Sequence, residues 1–340
     1  MSRKSTCILM IPVILSLMAL PLAAEEKVDA QSRLQELAIQ AKKQGDKPAS
    51  AESPTDLPQG LTQLTHNGKA KRESQPDWDT DLSGIYFVEK GGGVGRIMRL
   101  DLATSAVDTV VAHAYFNASK PAVSPDGKFL AYQTRRVDTH ESVWIRRLED
   151  GVEGKLSEDI EASETSPTWN AQGGRLYFSR KTSNSQNNRA VSCLKNGDAM
   201  KVVGREQGSY YSPTVSVDGD RVAWLHREGR DTKIVLMNTE LTALTRDVRT
   251  PGYTVASMDW LPSGESMIVS YMDNSNPDHG FDIGLLNLER GSIELLADLG
   301  HYDSDPCISS DGTRAVFVAN PQGQQDLYLL TLPSEPSMED

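Results

Sequence analysis

One hairpin pattern recurs six times between Pro76 and Phe317, at a spacing of about 45 residues. A period of that length, made of short strands, points to a β-propeller: each unit is a small sheet that cannot cover its own faces and must stack on its neighbours. The copies are Pro76-Asp77-Trp78 with Asp81, Pro121-Ala122-Val123 with Asp126-Gly127, and Pro167-Thr168-Trp169 with Gln172-Gly173. They continue with Pro213-Thr214-Val215 and Asp218-Gly219, Met258-Asp259-Trp260 and Ser263-Gly264, and Pro306-Cys307-Ile308 and Asp311-Gly312. Past each turn comes an apolar position (Ile85, Leu130, Leu176, Val222, Met267, Ala315). Two residues later comes a larger one (Phe87, Tyr132, Phe178, Trp224, Val269, Phe317).

Each column has its own chemistry. Proline cannot donate to a ladder and belongs at the start of a strand; Asp-Gly tolerates positive φ and closes a hairpin. The second strand is apolar on consecutive residues, as in Phe129-Leu130-Ala131-Tyr132, which is expected of a strand covered on both faces. Third strands are predicted at 97–102, 143–148, 190–194, 234–237, 283–288 and 327–332, and fourth strands at 108–111, 201–203 and 293–296. The last copy stops after its third strand, while a strand-like segment, Leu61-Thr62-Gln63-Leu64, precedes the first without a partner. Exposed edges are costly, so this segment is predicted to supply the outer strand of blade 6 and close the ring.

The pattern resembles the WD-like repeats of the TolB propeller family: a Pro, a Trp or aliphatic residue, Ser-Pro-Asp-Gly, then an apolar-Ala-aromatic strand. Ser124-Pro125-Asp126-Gly127 with Leu130-Ala131-Tyr132 matches best. The resemblance covers about residues 61–333. It departs at Gln172 and Ser263 (turn Asp), Leu82 (Gly) and Met258 (Pro), and the segment 25–60 is too short for the α/β domain that precedes the TolB propeller. The fold expected is therefore all-β, a six-bladed β-propeller closed by an N-terminal strand.

Residues 1–24 have the parts of a secretory signal peptide: Arg3 and Lys4, an apolar stretch from Cys7 to Leu22 broken by Pro12 and Pro21, and Leu22-Ala23-Ala24 before Glu25. The stretch is short for a spanning helix, which favours cleavage over an uncleaved anchor and implies no membrane span afterwards. Within 25–60, residues 31–43 read as a short amphipathic helix with Leu34, Leu37, Ala38 and Ala41 on one face, followed by a Pro- and Ser-rich disordered linker. The propeller is assigned to 61–333 and a disordered tail to 334–340.

The net charge is −12, and the chain has no basic patch, so nucleic acid is not an expected partner. Cys193 falls in blade 3 and Cys307 in blade 6, on opposite sides of a ring of six, too far apart for a disulfide; both are expected as free, mostly buried thiols. There is no Gly-x-Ser-x-Gly elbow. Gly91 to Gly95 precedes a strand, not a helix, and reads as a hairpin loop instead of a phosphate cradle. The loop from Asp273 to Gly280 lacks the spacing of a calcium loop. His66, His113, His140, His226, His279 and His301 all fall in predicted loops, with no pair at a ligand spacing. No catalytic residue, metal or cofactor is assigned.

Connections entering the inner strands meet at one mouth of the channel, and they carry His113, Tyr115 and Phe116, then Tyr210 and Tyr211, Tyr253, and His301, Tyr302 and Asp303. Glu161, Glu164 and Asp305 are placed on the same rim. Tyr and His combine contact area with a polar tip, as recognition surfaces do; the alternative is that the rings wedge between blades. The TolB resemblance implies a non-enzymatic interaction propeller whose mouth binds a protein or cell-envelope component; the signal segment places it in the periplasm, and a monomer is expected. The rival is an enzyme or glycan-binding propeller, of lyase or hydrolase type, using Asp303 and Asp305 as acid and base.

Overall fold

The computed structural model describes residues 57–332 apart from 67–69, 137–139, 204–207, 230, 301 and 322. The leader, the helix at 31–43, most of the linker and the tail lie outside the described residues. The remainder forms 24 strands in six four-stranded antiparallel sheets, with the strand following each connection innermost. Blades 1 to 5 span 71–111, 118–155, 163–203, 209–248 and 253–297. Blade 6 spans 304–331 and takes its outer strand from Leu61–Gln63, which pairs with Asp326–Thr331 in the register Leu61↔Leu330, Thr62↔Leu329 and Gln63↔Tyr328. The closure read from the unpartnered N-terminal segment is thus present. Leu57 and Leu61 both pack on the core between blades 5 and 6.

The core is divided into six seams, one cluster for each pair of adjacent blades. Both apolar columns of the second strands are fully buried in every blade, from Ile85 and Phe87 to Ala315 and Phe317. This is the continuous burial expected of strands covered on two faces. The outer strands missed by the sequence pattern are Glu153–Lys155 in blade 2 and Leu244–Val248 in blade 4. Their exposed edges carry few apolar residues, which left them without a hydrophobic signal. The two-residue turn between Gly91 and Val94 puts Gly92 and Gly93 at φ 62° and 89°, so this loop is a hairpin. At the turns between the first and second strands Gly127, Gly173, Gly219, Gly264 and Gly312 have φ between 66° and 77°; blade 1, lacking the glycine, places Leu82 at φ 59°. Ser124, Ser216 and Ser309 reinforce three of these turns: each hydroxyl donates to the turn aspartate and accepts the N–H five residues on.

Tryptophan and aspartate alternate in holding the ring together. Trp78, Trp169 and Trp260 are buried, and each indole N–H donates to the inner-strand carbonyl of the preceding blade, at Cys307 (3.0 Å), Ala122 (2.9 Å) and Thr214 (3.1 Å). Two of the remaining seams are stapled by carboxylates one position earlier. Asp77 accepts from the Val123 N–H (2.6 Å) in blade 2, and Asp259 from the Ile308 N–H (2.9 Å) in blade 6 and the Thr214 hydroxyl (2.8 Å) in blade 4. One expectation is overturned here: His226 is not in a loop but on the second strand of blade 4 (Arg221–Glu228), buried, its ring centroid 4.6 Å from that of Tyr210. Cys193 and Cys307 are free.

Candidate functional site

The five inner-strand prolines share one backbone device. The residue before each, Gln75, Lys120, Ser166, Ser212 or Asp305, has φ between 44° and 56°, and the ladder skips a pair at that point in every case. Proline offers no N–H, so a bulge is where it fits without wasting an acceptor, and non-glycine residues held in the left-handed region store strain of about 1–3 kcal/mol each. Blade 5, with Met258 in place of Pro, has a bulge at Val255/Ser257 and no left-handed residue.

The bulges present polar groups between blades. The Lys120 N–H donates to Gln75 Oε1 (2.8 Å) and the Asp305 N–H to Ser257 Oγ (3.2 Å), each reaching into the preceding blade. Lys120 Nζ lies 3.5 Å from Asp305 Oδ1, an ion pair linking blades 2 and 6 past blade 1. Two positions beyond the bulge, Asp77 is pushed up to about 7 by burial, countered by its Val123 hydrogen bond and assisted by the charge of Asp259; the Asp259 carboxyl is raised by burial as well. Cys307 sits between them, its thiol donating to Asp77 Oδ1 (3.6 Å) and its pKa raised by burial and by both aspartates.

Three positions before the proline, the column Glu73, Ala118, Glu164, Tyr210, Val255 and Asp303 is buried in all six blades. This corrects three placements on the rim. Tyr210 is 1% exposed and packs edge-on against Trp224 at 6.3 Å. Glu164 is buried with Arg180 at 3.6 Å. Asp303 is 0% exposed, its Oδ2 accepts the Leu299 N–H (2.7 Å), and its carboxyl is pushed up to about 8 by burial and by the charges of Asp282 and Asp298. The proposed acid and base therefore part company, Asp303 entering the seam and Asp305 pairing with Lys120. The strands begin earlier than the loops were read to end, and a one-residue change of register exchanges faces.

The other candidates divide between surface and wedge. Tyr115 is 87% exposed and Phe116 37%. Tyr211 and Tyr253 are half-buried against the seam of blades 4 and 5, Tyr253 edge-on to Tyr271 at 5.4 Å. Tyr302 is half-buried, bridged in parallel to Phe281 through the backbone, and its hydroxyl is raised to about 12 by burial and by Asp305. His113 is half-buried, and its proton affinity is lowered by burial and by Arg136. His301 lies outside the described residues. Ile160, 61% exposed on the connection from blade 2 to blade 3, was missed, because a lone aliphatic residue among Glu158, Asp159 and Glu161 has no pattern to reveal it. Two shallow clefts, of about 320 and 250 Å³, lie between blades 2 and 3, lined by Phe129 and Lys195, and between blades 3 and 4, lined by Met237, Leu244 and the buried Tyr210. His279, Asp282 and Asp298 place three potential ligand atoms within 4.8 Å of one another.

The TolB β-propeller domain family matches residues 59–250, more than half of the chain and all of its first four blades. The chain belongs to that family. No curated protein matches the sequence. Among solved structures, one described as TolB from Agrobacterium tumefaciens superposes with a TM-score of 0.60 at 17% identity, covering 77% of this chain and 91% of that one. TolB from Acinetobacter baumannii gives 0.59 at 16%, covering 70% of this chain and 57% of that one. Oligogalacturonate lyase from Vibrio parahaemolyticus gives 0.56 at 14%, covering 81% and 94%. At these identities the likeness is one of fold, which non-enzymes and enzymes share. Among the described residues no helix is long and apolar enough to cross a membrane.

Proposed function

We propose that this TolB-like propeller is a non-enzymatic interaction module of the periplasm, and that it binds a protein or cell-envelope component on the end where connections enter the inner strands. The observation carrying this reading is the pair of successive connections that expose Tyr115, Phe116 and Ile160 there. Solvent-facing apolar and aromatic side chains on loops held by a rigid scaffold are the usual raw material of a binding face. The signal-like segment at 1–24 supports export.

Envelope extract passed over the immobilised protein tests the reading. Changing Tyr115 and Phe116 to Ala and Ile160 to Ser should abolish capture of any specific partner while leaving the melting temperature within a few degrees, because a few anchors carry most interface energy. Lys128→Ala, beside an Asp-Gly turn at the opposite end, should leave capture intact. Capture that survives the triple change, or turnover of an oligogalacturonide by the unmodified protein, would refute it.

A further inference from the structure

Apart from the exposed rim, the connections of blades 5 and 6 bring one imidazole and three carboxylates into a single corner. His279 lies on the connection between Ser266–Asp273 and Asp282–Asn287, Asp282 opens the latter strand, Asp298 follows the outer strand Ile293–Ala297, and Asp303 precedes the inner strand of blade 6. His279 Nε2 is 3.2 Å from Asp282 Oδ1 and 3.3 Å from Asp298 Oδ2. Asp282 is 9% exposed, with its Oδ1 against the His279 imidazole; Asp303, fully buried, leaves its Oδ1 without a hydrogen-bond partner. Buried oxygens are normally satisfied, and buried like charges are normally paired.

We propose that His279, Asp282 and Asp298, backed by the buried Asp303, bind one divalent transition-metal ion, manganese or zinc. Imidazole combined with carboxylate oxygen suits these ions, whereas calcium and magnesium favour oxygen alone. The neighbouring loop does not compete as a ligand set, since Asp273 is turned onto the N–H and hydroxyl of Ser275 at 2.8 and 2.7 Å. Asp282 and Asp303 close the inner side, while His279 and Asp298, each about two-fifths exposed, leave the outer side to water. The ion would tie the blade 5 connection to the chain entering blade 6, where the Asp303 N–H already donates to the Phe281 carbonyl (3.0 Å), and so fix Tyr302 between them.

Full-length protein stripped with a chelator is titrated with Mn²⁺, the free aqua ion being followed by electron paramagnetic resonance, and with Zn²⁺ by calorimetry. One saturable site per chain and a raised melting temperature are expected with at least one of the two ions. His279→Ala and Asp298→Asn, both at partly exposed side chains, should weaken binding at least tenfold with circular dichroism unchanged, and a tenfold excess of Ca²⁺ should not displace the ion. Absence of a saturable site for either ion, a site equally tight in both variants, or displacement by Ca²⁺ would overturn the assignment.

Discussion

At the residue scale, the ring depends on side chains that reach from one blade into the next. Trp169 fills the seam of blades 2 and 3 and spends its N–H on Ala122. Trp169→Ala should cost about 3–5 kcal/mol in urea melts, and a loss under about 1 kcal/mol would mean that the column does not bear on the core. Asp77 gives a pH dependence whose sign is fixed by its raised pKa. The folded state holds the proton up to about pH 7, whereas an unfolded aspartate releases it near 4. Its contribution is therefore fully present below about pH 4 and is lost as the pH climbs through 7. Glu73, raised to about 7 chiefly by burial, acts in the same direction, while His113, with lowered proton affinity, opposes them. The urea midpoint of Asp77→Asn should fall less between pH 5 and 8 than that of the unmodified protein. Parallel pH profiles for the two proteins would contradict the assignment.

At the element scale, the three-residue strand Leu61–Gln63 has an importance out of proportion to its length. It covers the edge of Asp326–Thr331, is continued by the Leu64 N–H donating to the Leu327 carbonyl (2.8 Å), and is preceded by Leu57 packed on the seam. A chain beginning at Ala70 should lose cooperative melting, and a synthetic peptide of residues 57–66 added in excess should restore part of it. If the truncated chain melts as the full one does, ring closure is not what stabilises blade 6. The inner strands show a second element-scale rule. Their proline bulges carry left-handed Gln75, Lys120, Ser166, Ser212 and Asp305, so the same register break that accommodates proline also presents the polar groups between the blades.

At the scale of the whole molecule, every seam is shared by two blades and the last seam returns to the first, with Trp78 of blade 1 packed among Val316, Val318 and Leu327 of blade 6. An open repeat array can fray from its ends; a closed ring has none. Unfolding followed by far-ultraviolet and near-ultraviolet circular dichroism should therefore coincide, together with the appearance of the Cys193 and Cys307 thiols, which burial keeps protonated in the native state. Thiols reacting well before the spectroscopic transition would show that blades 3 or 6 open independently.

The six copies, the closing strand, the buried columns from Ile85 to Phe317 and the unpaired cysteines could all be read from the chain, because each follows from a local periodicity or from the order of blades around a ring. The division of the mouth residues could not. Tyr210 and Tyr211 are neighbours, yet Tyr210 is sealed beneath Trp224 and Tyr211 stays half-exposed, and Asp303 and Asp305 diverge into a seam and an ion pair. Which way a side chain faces depends on where a strand starts and where a bulge interrupts its alternation, and both are set by packing against the adjacent blade. For the same reason no spacing along the chain announced that His279 and Asp282 would meet Asp298 and Asp303: only the stacking of blade 5 on blade 6 puts those two connections side by side.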